Sequence, residues 1–126
     1  MRHRTFGRRL NRSVSHRKSL RRNLMNELFT HERINTTEAK ARAIRGDAER
    51  VISIAKRGQR IGDAMAKVHA RRTIMRRLNN RKVVDKVVKE IAPRFENRPG
   101  GYTRMLRVGA RRGDAAPVVI LELVED

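Results

Sequence analysis

The chain has no cysteine and no tryptophan, and only four aromatic residues in 126: Phe6, Phe29, Phe95 and Tyr102. Without cysteine there are no disulfides, no thiolate metal sites and no zinc finger of the usual ligand set. With so few aromatics, a sheet that stacks bases on exposed rings, as RRM and OB platforms do, is disfavoured. No apolar run approaches the ~18–20 residues of a membrane-spanning helix. No apolar segment of the secretory type follows the early arginines. The scarcest thing of all is local: the first 26 residues contain no carboxylate, and the first acid is Glu27.

What is present is positive charge. Lys and Arg number 32 against 13 Asp and Glu, a formal net charge of +19. Arg outnumbers Lys by 25 to 7. The planar guanidinium fork suits bidentate contact with phosphate better than the point charge of lysine, although a GC-rich genome would also raise the arginine share. Such a chain attracts a polyanion. Charge divides it into a basic segment (1–26), a mixed body (27–113) and a tail (114–126) with four acids and no base.

Residues 1–14 show no sustained periodicity and read as a basic arm. Extended, they would reach roughly 45–50 Å, enough to thread between nucleic-acid helices. Residues 15–126 read as one domain. A first helix is predicted over His16 to Phe29 with Ser15 as its cap. Its first half is basic on several sides, while Leu20, Leu24, Leu28, Met25 and Phe29 make its second half apolar. That axial polarity does not suit a membrane-lying helix, which needs opposite faces. It suits a helix whose start enters a polyanion and whose end docks on the body.

Arg33–Thr36 is a strand candidate. Thr36 or Thr37 should cap a second helix with Glu38 in its first turn. Ile44, Ala48, Val51, Ile52 and Ala55 form the clearest amphipathic stripe in the chain, and Gly58 is expected to stop it. A third helix, Asp63 to Leu78, should bury Met65, Val68, Met75 and Leu78. A fourth, Arg81 to Ile91, should use Val84, Val87, Val88 and Ile91, ending where Pro93 pushes Ala92 out of the helical region. Asp47 and Glu49 beside Arg45 and Arg50 read as surface pairing along one helix. Tyr102–Val108 and Val118–Val124 read as two strands of an antiparallel hairpin, Tyr102, Leu106 and Val108 sharing one face and Val119, Leu121 and Leu123 another. The expected class is α+β: about four helices on a small sheet of about three strands, with an extended basic N-terminal arm.

No catalytic constellation is present. His31-Glu32 lacks the second histidine of a zinc-protease motif, because position 35 is Asn35. His3, His16 and His69 are isolated. No phosphate-binding glycine loop occurs, so neither a cofactor, a metal nor a small-molecule substrate is expected. Recognition of a nucleic-acid backbone and shape by Arg and Lys remains. The residues expected to carry it are Arg2, Arg4, Arg8, Arg9, Arg12, Arg17, Lys18, Arg21 and Arg22. A second cluster is Arg104, Arg107, Arg111 and Arg112 in the hairpin, and a third is Arg94 and Arg98 beside the Pro99-Gly100-Gly101 breaker.

Several segments carry a specific likeness: the opening MRH, GRRLNRSVSHR at 7–17, RN at 22–23, INTTEAKA at 34–41, PRF at 93–95, GGYTRML at 100–106 and GDAAPVVILELV at 113–124. In these the chain resembles the bacterial large-subunit ribosomal protein of the seventeenth family. It departs at Val14, where the family usually has Ser, and at Val87-Val88, where Leu-Phe is common. The resemblance implies a structural protein bound to large-subunit ribosomal RNA near the exit of the nascent-chain tunnel, beside the small thirty-second protein of that subunit, cytoplasmic and ribosome-bound. It implies a small sheet covered by helices, with matched residues from Met1 to Asn23 lying in RNA. That adds His3, Asn11, Ser15 and His16 to the expected contacts, and the match at 100–106 adds Tyr102. A match beginning at Met1 also argues against a transit peptide, which the Arg-rich, acid-poor start would otherwise suggest. A DNA-architectural, histone-like protein is the alternative from composition alone.

Overall fold

The computed structural model describes residues 7–125; Arg2, His3 and Arg4 lie outside them. Helix α1 spans Val14–His31. Ser13, not Ser15, is its cap: the Ser13 hydroxyl accepts the N–H of His16 at 3.3 Å. Two serines stand two residues apart, and the earlier one lies in the extended conformation that capping needs, so the helix starts two residues earlier than expected. The axial polarity holds. Its buried residues, Met25, Leu28 and Phe29, all lie in its second half.

Glu32 ends α1 in the left-handed conformation (φ 65°) and turns the chain into strand β1, Arg33–Thr37. Helix α2, Glu38–Ile61, follows at once and buries Ala41, Ile44, Ala48, Val51, Ile52 and Ala55. Gly58 does not stop it. The helix runs on to Gly62, whose φ of 75° provides the left-handed cap. Gly58 serves packing instead: a Cβ there would sit 2.6 Å from that of Ala70.

That close approach fixes helix α3, Ala64–Leu78, with Asp63 as its cap. The face meeting α2 is set by Ala70, Ile74 and Leu78. Met65 and Val68, expected inside, are 75% and 42% exposed, because the first turns of α3 extend past the core. Met75 is half-buried against the core and Leu78 is fully buried. Asn79 in the left-handed region and Asn80 as the next cap separate α3 from α4, Arg81–Lys86.

The fourth helix does not end before Pro93. It widens into a π-helical turn over Val87–Ile91 and continues as α5, Ala92–Arg94, with Ala92 helical at φ −61°, ψ −43°. In the wider turn the Ala92 N–H reaches the Val87 carbonyl. The next such donor would be the nitrogen of Pro93, which has no hydrogen. The side-chain amide of Gln59 on α2 donates to the Val88 carbonyl in its place.

Strands β2 (Thr103–Ala110) and β3 (Pro117–Leu123) form the expected antiparallel hairpin, and β1 adds to the other edge of β3 to give the order β1-β3-β2. Val119, Leu121 and Leu123 face the helices and are buried. Tyr102, Leu106 and Val108 do not share a buried face: Tyr102 is buried ahead of β2, whereas Leu106 and Val108 are exposed, with a bulge between Arg107 and Gly109. The fold is α+β, helices on a three-stranded sheet. Asp47 and Glu49 of α2 tie the helix to its neighbours rather than pairing with Arg45 and Arg50 along it. Glu49 accepts the N–H and hydroxyl of Thr103 at 3.2 and 2.8 Å, and Asp47 lies 3.9 Å from Arg77 of α3.

Candidate nucleic-acid interface

The segment before α1 and the first three turns of α1 bring the early cations together. Residues 9–12 make a turn, with the Arg12 N–H on the Arg9 carbonyl at 3.2 Å and Leu10 and Asn11 at φ 56° and 53°. Arg12 also donates to the Leu10 carbonyl at 2.7 Å. Arg8, Arg9, Asn11, Ser15, His16 and Lys18 are exposed; Arg17, Arg21 and Arg22 are half-buried. Among the described residues, no carboxylate forms an ion pair with Arg8, Arg9, Arg12, Arg17, Lys18, Arg21 or Arg22. The Nε donors of Arg12, Arg21 and Arg22 are shielded from solvent and meet no acceptor. Buried donors are ordinarily satisfied. Three guanidinium nitrogens in one region thus find no acceptor among the described residues.

The later arginines stand differently. Arg94 is bound through both terminal nitrogens to Glu32, each at 2.9 Å. Arg104 donates to Glu122, its register partner on β3, at 2.9 Å. Arg107 reaches Glu38 at 3.5 Å, and Arg111 holds Asp114 at 3.1 Å. Arg98 donates to the carbonyls of Gly100 and Gly101. Arg112 is exposed on the hairpin loop. Tyr102 is only 3% exposed; its hydroxyl accepts from Lys56 at 2.8 Å and its ring packs on Phe95. It offers no ring face for a base.

A trough of about 600 Å³ runs between this basic segment and α2. Gly7, Arg8 and Arg21 form one side, and Ala39, Arg42, Ala43, Gly46, Asp47 and Arg50 form the other. Arg42 is oriented by two hydrogen bonds to Glu38, at 3.1 and 2.8 Å. Those bonds, then the charges of Arg107, Arg42 and Arg8, hold the Glu38 carboxyl below the usual range and keep it ionised. Among the described residues no cluster of His, Asp and Glu could hold a metal ion, and no helix is long and apolar enough to cross a membrane.

Residues 20–124 match the family described as Ribosomal protein L17. The chain belongs to that family. It is 47% identical, over all of its 126 residues, to the large ribosomal subunit protein bL17 of Syntrophotalea carbinolica (76% of that chain) and to the one of Pelobacter propionicus (93% of that chain). It is 48% identical over 124 residues to the bL17 of Petrotoga mobilis, covering 98% of this chain and 97% of that one. The L17 family is a structural, non-enzymatic component of the ribosome.

For this L17-family chain the structure sorts the expected contacts. Those from Arg8 to Arg22 are gathered, exposed or half-buried, and without carboxylate partners among the described residues. Most of those after residue 93 are bound to acids or carbonyls of the body. Arg42 and Arg50 were not among the expected contacts. A signal for them existed: positions 42, 46 and 50 recur every four residues on the side of α2 away from the Ile44–Ala48–Val51 stripe.

Proposed function

We propose that this chain acts as a structural constituent of the large ribosomal subunit by binding large-subunit ribosomal RNA, mainly through phosphate-backbone and shape contacts. The supporting observation is the carboxylate-free cluster around the start of α1, with its three shielded guanidinium donors lacking acceptors among the described residues. Phosphate oxygens are acceptors of the right geometry for such donors. Residues 1–14 serve as the arm that threads into RNA, and Arg8, Arg9, Arg12, Arg17, Lys18, Arg21 and Arg22 supply the main contacts within the described residues. Arg94, Arg104, Arg107 and Arg111 contribute less, because each already shares its charge with an acid. The place at the exit of the nascent-chain tunnel, beside the small thirty-second protein, and a cytoplasmic, ribosome-bound location rest on the family resemblance. The names of the relatives support the large subunit.

Two measurements test this reading. The chain should co-sediment with large subunits in sucrose gradients; recovery only in free or nucleoid fractions would contradict it. Its affinity for large-subunit RNA should fall with log salt at a slope near −0.7 to −0.9 per phosphate contact. A flat response, or equal affinity for duplex DNA, would favour the DNA-architectural alternative.

A further inference from the structure

We propose that the trough between α1 and α2, floored by Ala39, Ala43 and Gly46 and walled by Arg21, Arg42 and Arg50, seats one strand of RNA backbone. The inference rests on the ribosomal-RNA reading and assigns it a specific second surface on α2.

The floor is made for close approach. Ala39, Ala43 and Gly46 succeed one another along one side of α2, and a Cβ on Gly46 would meet nothing within 4 Å. Glycine at mid-helix is unfavourable by itself, and no described neighbour requires it at this position. Its absent side chain keeps the floor flat. The walls are cationic and come from two helices. Arg50 forms no ion pair or hydrogen bond with any described residue. The Nε of Arg21 is shielded and without an acceptor. Arg42 is held in place by Glu38. Arg42 and Arg50 stand eight residues apart, roughly 12 Å along the helix axis, one on either side of Gly46. Asp47 is the opposing charge in the trough, and Arg77 of α3 lies 3.9 Å from it.

The chemistry selects the ligand. Among the described residues the lining offers no aromatic ring for a base and no large apolar side chain for a protein anchor. Guanidinium groups at separated points along a smooth floor suit a ligand with charge repeated along a narrow backbone. A phosphodiester strand has that form.

The test uses the full-length chain, large-subunit RNA and binding measured across a salt series. Gly46→Glu raises a carboxylate from the floor, and Arg50→Gln removes one wall. Met65→Glu makes the same charge change as Gly46→Glu on the exposed tip of α3. Circular dichroism and thermal melting verify that each variant is folded. Gly46→Glu and Arg50→Gln should each weaken binding about tenfold, and Arg50→Gln should make the salt slope shallower by about 0.7–0.9. Met65→Glu should stay within about threefold of the parent. The trough proposal is overturned if the parent binds steeply while Gly46→Glu and Arg50→Gln bind like it. It is equally overturned if Met65→Glu loses as much as Gly46→Glu, since net charge alone would then explain the loss. Failure of the parent to bind the RNA would sink the underlying reading and the trough with it.

Discussion

Glu32 and Arg94, 62 residues apart in sequence, meet in a two-pronged ion pair, with Nη1 and Nη2 of Arg94 each 2.9 Å from a different oxygen of the Glu32 carboxylate. Glu32 also closes α1 in the left-handed conformation, and its carbonyl accepts the N–H of Leu123 at 2.9 Å. One residue therefore joins the end of α1, the short α5 and the last strand. The hydrogen bonds from Arg94, then its charge and that of Lys86, hold the Glu32 carboxyl below its ordinary 4.5. A depressed carboxyl stabilises the fold fully above the unfolded value and loses that contribution as pH falls through the folded one. Glu32→Gln should cost about 1 kcal/mol at neutral pH, after allowance for solvent screening of a pair about one-third exposed. Urea melts at several pH values should show the deficit shrinking below pH 4.5. A deficit that stays constant into acid would contradict the account.

Lys56 is a buried cation held without a carboxylate among the described residues. Its ammonium donates to the Arg98 carbonyl and to the Tyr102 hydroxyl at 2.8 Å, and lies 4.8 Å from the centre of the Tyr102 ring. Lys56→Met should destabilise by about 1–3 kcal/mol, because the half-buried Arg98 carbonyl and the buried Tyr102 hydroxyl lose their donor. Adding Tyr102→Phe should cost less in that background than in the parent. Strict additivity in a double-mutant cycle would show that the two groups are not coupled.

The two glycines of α2 should respond to alanine with opposite signs. Gly58→Ala drives a methyl group into Ala70 and should destabilise by about 1–3 kcal/mol despite the better helix former. Gly46→Ala meets open space and should stabilise by about 0.5–1 kcal/mol. Thermal melts decide both. Pairing Gly58→Ala with Ala70→Gly should recover much of the loss; no recovery would place the strain elsewhere.

In the hairpin loop, Asp114 is held down to a pKa of about 2 by its hydrogen bonds from Arg111, and next by the N–H of Ala116. Nuclear magnetic resonance titration should find that carboxyl ionised well below pH 3.8, and Arg111→Gln should move its midpoint upward. An unmoved midpoint would mean that Arg111 is directed elsewhere in solution.

The parts of this protein that were legible from sequence are those that local rules govern. The α2 stripe, the β3 alternation and the axial polarity of α1 appeared where periodicity placed them, because one element's burial pattern is written along itself. The parts that were not legible needed a partner. Gly58 reads as a stop signal until Ala70 is seen against it. Pro93 reads as a helix end until Gln59, on another helix, takes over the carbonyl that proline leaves unbonded. Met65 and Val68 have the right spacing for a core, but the core ends before it reaches them.

The same division runs through the site. The absence of any carboxylate before Glu27 was enough to mark the start of the chain as a surface for an outside polyanion, since no nearby residue could neutralise it. Which later arginines remain available was decided only by tertiary structure. Arg94, Arg104 and Arg107 find acids 62, 18 and 69 residues away, while Arg42 and Arg50 gain Arg21 across the trough. The sequence by itself determined the sign of the charge and the class of partner, because net charge is a sum over residues. The fold determined where that charge is free to act, because pairing and shielding depend on distances that only packing sets.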